Sequence, residues 1–207
     1  MNRFTTETAK QIRNHFPALQ RRENDREVVF FDGPAGTQVP RRVADAMSWY
    51  LLECNANHGG LFELSRQSDR LLDETHRAVA DFVGADDPGE IMFGQNMTSL
   101  TFALSRSLAR TWQAGDEIVV TQLDHDANIS PWVLAARDAG ATIRRVPFKP
   151  TDCTLDLDAM QSVLNEKTRL VAVGCASNAS GGINPVKQIG EWAHRHGALV
   201  FLDAVHF

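Results

Sequence analysis

Apolar residues follow two rhythms along this chain, and the change falls near Glu90. Before it they recur at helical spacing. Thr5 to Phe16 puts Ile12 and Phe16 on one face of a helix that Pro17 should end. Arg21 to Glu27 is charged and reads as a loop, and Val28–Phe31 as a short strand broken by the turn Asp32-Gly-Pro-Ala-Gly36. Pro40 to Cys54 predicts a second helix, with Val43, Met47 and Leu51 aligned; Asn55 to Gly60 predicts a loop. Ser65 to Val83 predicts a third helix, stopped by Gly84.

From Glu90 onward, short apolar runs alternate with amphipathic segments. The runs predict strands at Glu90–Phe93, Glu117–Thr121, Thr142–Val146, Arg169–Cys175 and Ala198–Leu202. The last reads as buried on both faces, with Asp203 at its end. Between the strands, Leu100, Leu104 and Leu108 mark one helix, and Ser130-Pro131 should cap and open a second. A third should be capped by Asp156 and bury Leu157, Met160 and Leu164. A fourth opens at Pro185, buries Ile189 and Ala193, and stops at Gly197. Strand–helix alternation predicts an α/β fold with a mostly parallel sheet flanked by helices.

Composition narrows the partners. The 207 residues suit one large domain, or one domain with an arm, and 43% apolar residues can fill a core. The net charge of −5 gives no electrostatic case for nucleic acid or an anionic membrane. No apolar run approaches the length of a membrane span, and Met1 to Glu7 lacks the apolar core of a signal peptide. Cys54, Cys153 and Cys175 are few and irregularly spaced, as expected of a reducing, cytoplasmic setting.

Ligands of such sheets bind beyond the carboxyl ends of the strands. Four segments fall there: Gly94 to Ser99, Leu123 to Asn128, Ala176 to Gly182, and Asp203 to His206. Asn96, Met97 and Thr98 open a helix, whose free N–H groups suit a phosphate; they suit an ordinary cap as well. His125 could stack on a ring, move protons or bind a metal, or simply sit exposed. Asn178 could donate to a ligand oxygen or shape a turn. Asp203 could hold a protonated ring nitrogen or a metal, or cap a following helix. A metal site from Asp124, His125, Asp126, Asp203 and His206 is the lesser alternative. Neither a dinucleotide fingerprint nor a P-loop is present.

Together the loops resemble the class V aminotransferase family of pyridoxal-phosphate enzymes, in its cysteine desulfurase-like subgroup. The resemblance runs from about Val28 to the end. It is carried by Phe31-Asp-Gly-Pro-Ala-Gly-Thr-Gln38, Asn55-Ala-Asn57 with His58, and Gly115-Asp-Glu-Ile-Val119 followed by Asp124-His125 and Asn128. Its most specific block is Ser177-Asn178 through Gly182-Ile-Asn-Pro185, followed by Ala193-His194, Gly197-Ala198 and Asp203.

The resemblance implies the large domain of fold type I, incomplete at its carboxyl terminus, over residues 32–207, with an N-terminal arm over 1–31. It implies pyridoxal 5'-phosphate as cofactor, an amino-acid substrate engaged through an external aldimine, C–S bond cleavage, and a homodimer. An aminotransferase, an epimerase, a kynureninase-like hydrolase or a non-catalytic binding module are the alternatives. By the same resemblance Met97 and Thr98, with Asn96, cradle the phosphate, and His125 stacks on the pyridine ring. Asp203 keeps the ring nitrogen protonated, and Asn178 and His206 lie near the phenolic oxygen. His206 stands where desulfurases carry glutamine, and His58-Gly59-Gly60 lacks their arginine. The family's Schiff-base lysine follows the strand of the acid, so it is expected beyond Phe207. The Glu90–Phe93 strand is then expected to lack its neighbours.

Overall fold

The chain folds as two units, Met1–Phe93 and Gly94–Phe207. The structure, a computed structural model, describes residues 5–207.

In the first unit, helix α1 spans Thr6–Arg13, and the Thr5 hydroxyl accepts the Thr8 N–H at 3.1 Å. It ends before Phe16, whose backbone is extended ahead of Pro17; the proline ring disfavours helical backbone one residue upstream. The charged stretch expected as a loop contains a small hairpin, β1 (Arg22–Glu23) and β2 (Arg26–Glu27). Asn24 and Asp25 turn it with φ of 51° and 61°, a left-handed pair these side chains tolerate. The expected strand Val28–Phe31 does not form: it has no partner strand among the described residues, and Phe31 is 95% exposed.

Helix α2 (Arg41–Trp49) runs into a π-helical turn at Tyr50–Cys54. Helix α3 (Glu63–Val83) closes at Gly84, φ 72°, where the Ala85 N–H reaches the Ala80 carbonyl at 3.0 Å. The α3 side chains tie down the loop before it. Ser65 Oγ donates to Asn57 O at 2.6 Å, Ser68 Oγ to Ala56 O at 3.0 Å, and the Gly59 N–H donates to Asp69 at 2.9 Å. The expected strand Glu90–Phe93 is also absent. A 3-10 turn over Pro88–Glu90 leads into unpaired backbone, because a lone strand leaves its ladder groups unsatisfied.

The second unit carries the alternating fold. Helix α4 (Met97–Leu108) is followed by β3 (Glu117–Thr121), α5 (Ser130–Ala139) and β4 (Thr142–Val146). A short hairpin, β5 (Phe148–Lys149) with β6 (Thr154–Leu155), precedes α6 (Leu157–Val163), β7 (Thr168–Gly174), α7 (Val186–Arg195) and β8 (Leu199–Asp203). Pro131 opens α5 as expected, but the Ser130 hydroxyl donates to Asp126 at 2.7 Å and does not cap the helix. Asp156 does cap α6, accepting the Ala159 N–H at 3.0 Å.

Four strands form one sheet in the order β4-β3-β7-β8, every pair parallel. Alternate residues of β3 and β7 serve the two faces. Val119, Val171 and Val173 pack with Met160, Ile189 and Ala193 from α6 and α7. Ile118, Val120, Leu170 and Ala172 pack with Trp132 and Ala136 of α5. All of β3 is buried. By contrast β8 is not buried on both faces, as its apolar run suggested: Leu199 is 56% and Leu202 45% exposed. Among the described residues it is an edge strand, paired with β7 alone. No described helix is long and apolar enough to cross a membrane.

Candidate functional site

Parallel strands deliver their carboxyl ends to one side of the sheet, and there β3, β7 and β8 end in polar loops. Their side chains line a small cleft, formed by Leu123, Asp124, His125, Gly174, Ala176, Ser177, Asn178, Asn184, Asp203 and His206. Of the residues expected to form a site, His125, Asn178, Asp203 and His206 converge here. Asn96, Met97 and Thr98 do not line it.

After β3, His125 opens a short 3-10 turn, Asp126–Asn128. The Ala127 N–H donates to His125 Nδ1 at 3.1 Å, so a neutral ring carries its proton on Nε2. After β7 the chain folds back on itself. Ser177 N–H donates to Gly182 O at 2.9 Å, and Gly181, φ 70°, takes the left-handed position that a glycine accommodates. The buried Ser177 hydroxyl accepts the N–H groups of Ala179 and Ser180 at 3.3 Å, which leaves Asn178 half-buried at the cleft wall. Asn184 secures the base of this loop, its amide donating to Gly174 O at 2.8 Å.

At the end of β8, Asp203 Oδ1 accepts the Val205 N–H at 3.0 Å. Its other oxygen has no hydrogen-bond partner among the described residues, and no described cationic side chain lies within 4.0 Å of the carboxyl. His206, two residues on from Ala204 and exposed, completes the rim. Asp124 is the acid that sequence reasoning undervalued. Burial is the main cause that raises its pKa, and the charge of Asp203 adds to it. Hydrogen bonds from Thr121 and Asn128 work against the rise. Its place directly before His125 was the available signal. Cys175 is buried, and burial followed by the charges of Asp203 and Asp124 pushes its thiol pKa up, away from the reactive thiolate.

At the start of α4, Asn96 is an N-cap, its side chain accepting the Ser99 N–H at 2.9 Å. The N–H groups of Met97 and Thr98 lie in the first turn, where a helix offers them no internal acceptor. None of Lys10, Lys149, Lys167 and Lys187 lines the cleft; Lys149 lines a neighbouring one with Cys153 and Leu155. Among the described residues, no group of three or more His, Cys, Asp or Glu side chains is arranged to hold a metal ion.

Comparisons with known proteins show the family of the chain. Residues 29–206 match the family model "Aminotransferase class-V". A cysteine desulfurase of Synechococcus elongatus is 38% identical over 195 residues, covering 93% of this chain and 31% of that protein. A probable cysteine desulfurase of Vibrio cholerae is 36% identical over 194 residues, covering 93% and 48%. Among solved structures, the apo cysteine desulfurase of Thermococcus onnurineus NA1 superposes with a TM-score of 0.83 at 30% identity, covering 94% of this chain and 47% of that one. The chain thus spans half or less of the length of these relatives.

Proposed function

The chain belongs to the class V aminotransferase family, and from that membership we propose that its cleft is one wall of a pyridoxal 5'-phosphate site in a cysteine desulfurase-like enzyme. The fold is that of the fold type I large domain, with its parallel sheet flanked by helices. Pyridoxal 5'-phosphate is the cofactor of the family. The observation that carries the reading is the convergence of His125, Asn178, Asp203 and His206 at the carboxyl ends of parallel strands.

The donor set suits that group. Asp203 has a free carboxylate oxygen and no competing cation, so it can accept from a protonated ring nitrogen and hold the proton there. His125 is exposed, its Nδ1 engaged by the Ala127 N–H, and the face of its ring is available for stacking. The Asn178 amide and the His206 imidazole supply donors for a phenolic oxygen. Asn96, Met97 and Thr98 offer first-turn N–H groups, a hydroxyl and the positive end of the α4 dipole to a phosphate. When bound, the cofactor supplies an electron sink for the bond broken at the substrate's α-carbon. We assign an amino acid as substrate, C–S cleavage as the reaction, and a homodimer as the working assembly, on the likeness to cysteine desulfurases.

The test is titration of pyridoxal 5'-phosphate into the purified chain, followed by absorbance and by circular dichroism of the cofactor band. Saturable binding with an induced dichroism is expected, and Asp203→Ala should weaken it. Because no lysine lines the cleft, borohydride should attach the cofactor to none of the four. Binding indifferent to substitution at Asp203 and His125 alike would refute this site.

A further inference from the structure

The cleft contains one acid to which the cofactor reading gives no task. Asp124 lies between His125 and the end of β3, yet its carboxyl bridges three segments of the chain. The Thr121 hydroxyl donates to its Oδ2, and the Asn128 amide donates to its Oδ1 at 3.0 Å. The Gly174 backbone at the end of β7 lies close against it.

The approach to Gly174 is close. A Cβ at that position would lie 2.8 Å from Asp124 Oδ1, so any side chain there displaces the carboxyl. Gly174 is also the register partner of Asp203, and the Cys175 N–H donates to Asp203 O at 2.8 Å. On the other side, Asn128 Oδ1 accepts the Trp132 indole N–H at 3.0 Å. Trp132 is fully buried and packs edge-on against Phe201 of β8, their ring centroids 5.0 Å apart. The carboxyl therefore joins the loop that carries His125 to the strand ends that carry Asp203, with the core on both sides.

We propose that Asp124 is a positioning residue whose carboxyl, held by Thr121 and Asn128 against Gly174, sets His125 and Asp203 at a defined separation across the cleft. It acts through those two residues and touches no reacting atom. The role serves the cofactor site proposed above, but the clamp exists in the ligand-free protein and is testable there.

Asparagine at 124 keeps the shape. Its carbonyl accepts from Asn128, and its amide donates to the Thr121 hydroxyl. Asp124→Ala removes the bridge, and Gly174→Ala displaces it while retaining the acid. The first readout is ¹⁵N NMR of the His125 ring without ligand. The parent and Asp124→Asn should show Nδ1 as a fixed acceptor; Asp124→Ala and Gly174→Ala should show a tautomer average. Near-ultraviolet dichroism of the tryptophans, the buried Trp132 among them, reports whether each variant is folded.

The second readout is titration with pyridoxal 5'-phosphate. Affinity and induced dichroism should fall about tenfold in Asp124→Ala and Gly174→Ala, and stay within about threefold in Asp124→Asn. An unchanged His125 signal in folded Asp124→Ala and Gly174→Ala overturns the proposal. So does an Asp124→Asn variant as impaired as Asp124→Ala, which would assign the effect to charge. If the parent itself binds no pyridoxal 5'-phosphate, the cofactor reading fails, and the His125 comparison still decides the clamp.

Discussion

The two ends of the four-stranded sheet each carry a pair of acids and treat them in opposite ways. At the amino end, Asp116 and Glu117 are buried and each meets an arginine: Arg169 at 2.8 Å and Arg144 at 2.5 Å. Their remaining oxygens accept from the Gln113 N–H and the Asn165 amide, both at 2.9 Å. At the carboxyl end, Asp124 and Asp203 stand near one another with only neutral donors, Thr121, Asn128 and the Val205 N–H. A buried acid paired with a cation and fully hydrogen-bonded has nothing left to offer a ligand. Asp203, without a cation and with one oxygen unengaged among the described residues, keeps its capacity for a positively charged or proton-bearing group, while Asp124 is held by neutral donors alone. The same residue type is structural at one end and available at the other, and the difference lies in its neighbours.

Substitutions should separate the ends. Asp203→Ala should lower pyridoxal 5'-phosphate affinity by roughly 10- to 100-fold, the loss of a charge-assisted hydrogen bond. The thermal midpoint should hold or rise, because Asp124 loses a like charge. A lower midpoint with unchanged affinity would erase the distinction. Arg144→Ala should do the reverse, lowering the urea midpoint while shifting cofactor affinity less than about twofold. The loss is smaller than for breaking a fully buried pair because the Arg144 side chain is 49% exposed.

Acid titration sharpens the contrast through opposite signs. The Arg144 hydrogen bond, then that of Asn165, holds the Glu117 pKa below its ordinary value. Glu117 therefore contributes stability that is present above its unfolded pKa and lost as pH falls through its folded pKa. The Asp124 pKa is raised, chiefly by burial, so its contribution is present below its unfolded pKa and lost as pH rises through its folded value. Urea unfolding between about pH 3 and pH 8 should show a shallower acid loss in Glu117→Gln and a smaller decline on the rising side in Asp124→Asn. Parallel curves for both variants and the parent would contradict these assignments. The smallest effect belongs to an ion pair at neither end. Arg137 and Asp138, 70% exposed at 3.0 Å, should tolerate Arg137→Ala with a change below about 0.5 kcal/mol.

Much of the carboxyl-terminal unit was legible from local pattern. The spacing of Leu100, Leu104 and Leu108, the Asp156 cap, the glycine stops and the apolar runs at Glu117 and Arg169 all report short-range physics, and each matches an observed element within a few residues. Local pattern misled where an element needs a distant partner. Among the described residues, Val28–Phe31 and Glu90–Phe93 have strand-like composition but no neighbour to complete a ladder, and β8 pairs on one side alone. It also missed the β1–β2 hairpin, because Asn24-Asp25 sits among charges that mask a left-handed turn.

The candidate site divides along the same line. His125, Asn178 and Asp203 were marked by their positions just past predicted strands, since strand direction and the parallel rule already imply a shared edge. Whether they meet depends on which strands are neighbours. The order β4-β3-β7-β8 brings the ends of β3, β7 and β8 side by side, though residues 121 and 203 are far apart in sequence. The tertiary structure alone decided the role open to Asp124. Its environment is assembled from Thr121, Asn128, Gly174 and Asp203, and its raised pKa comes from burial that no local pattern encodes. The sequence by itself determined the elements, their caps and the residues able to do chemistry, because those follow from spacing and side-chain type. Strand order decided which of those residues face a common cleft, because convergence depends on distances through space.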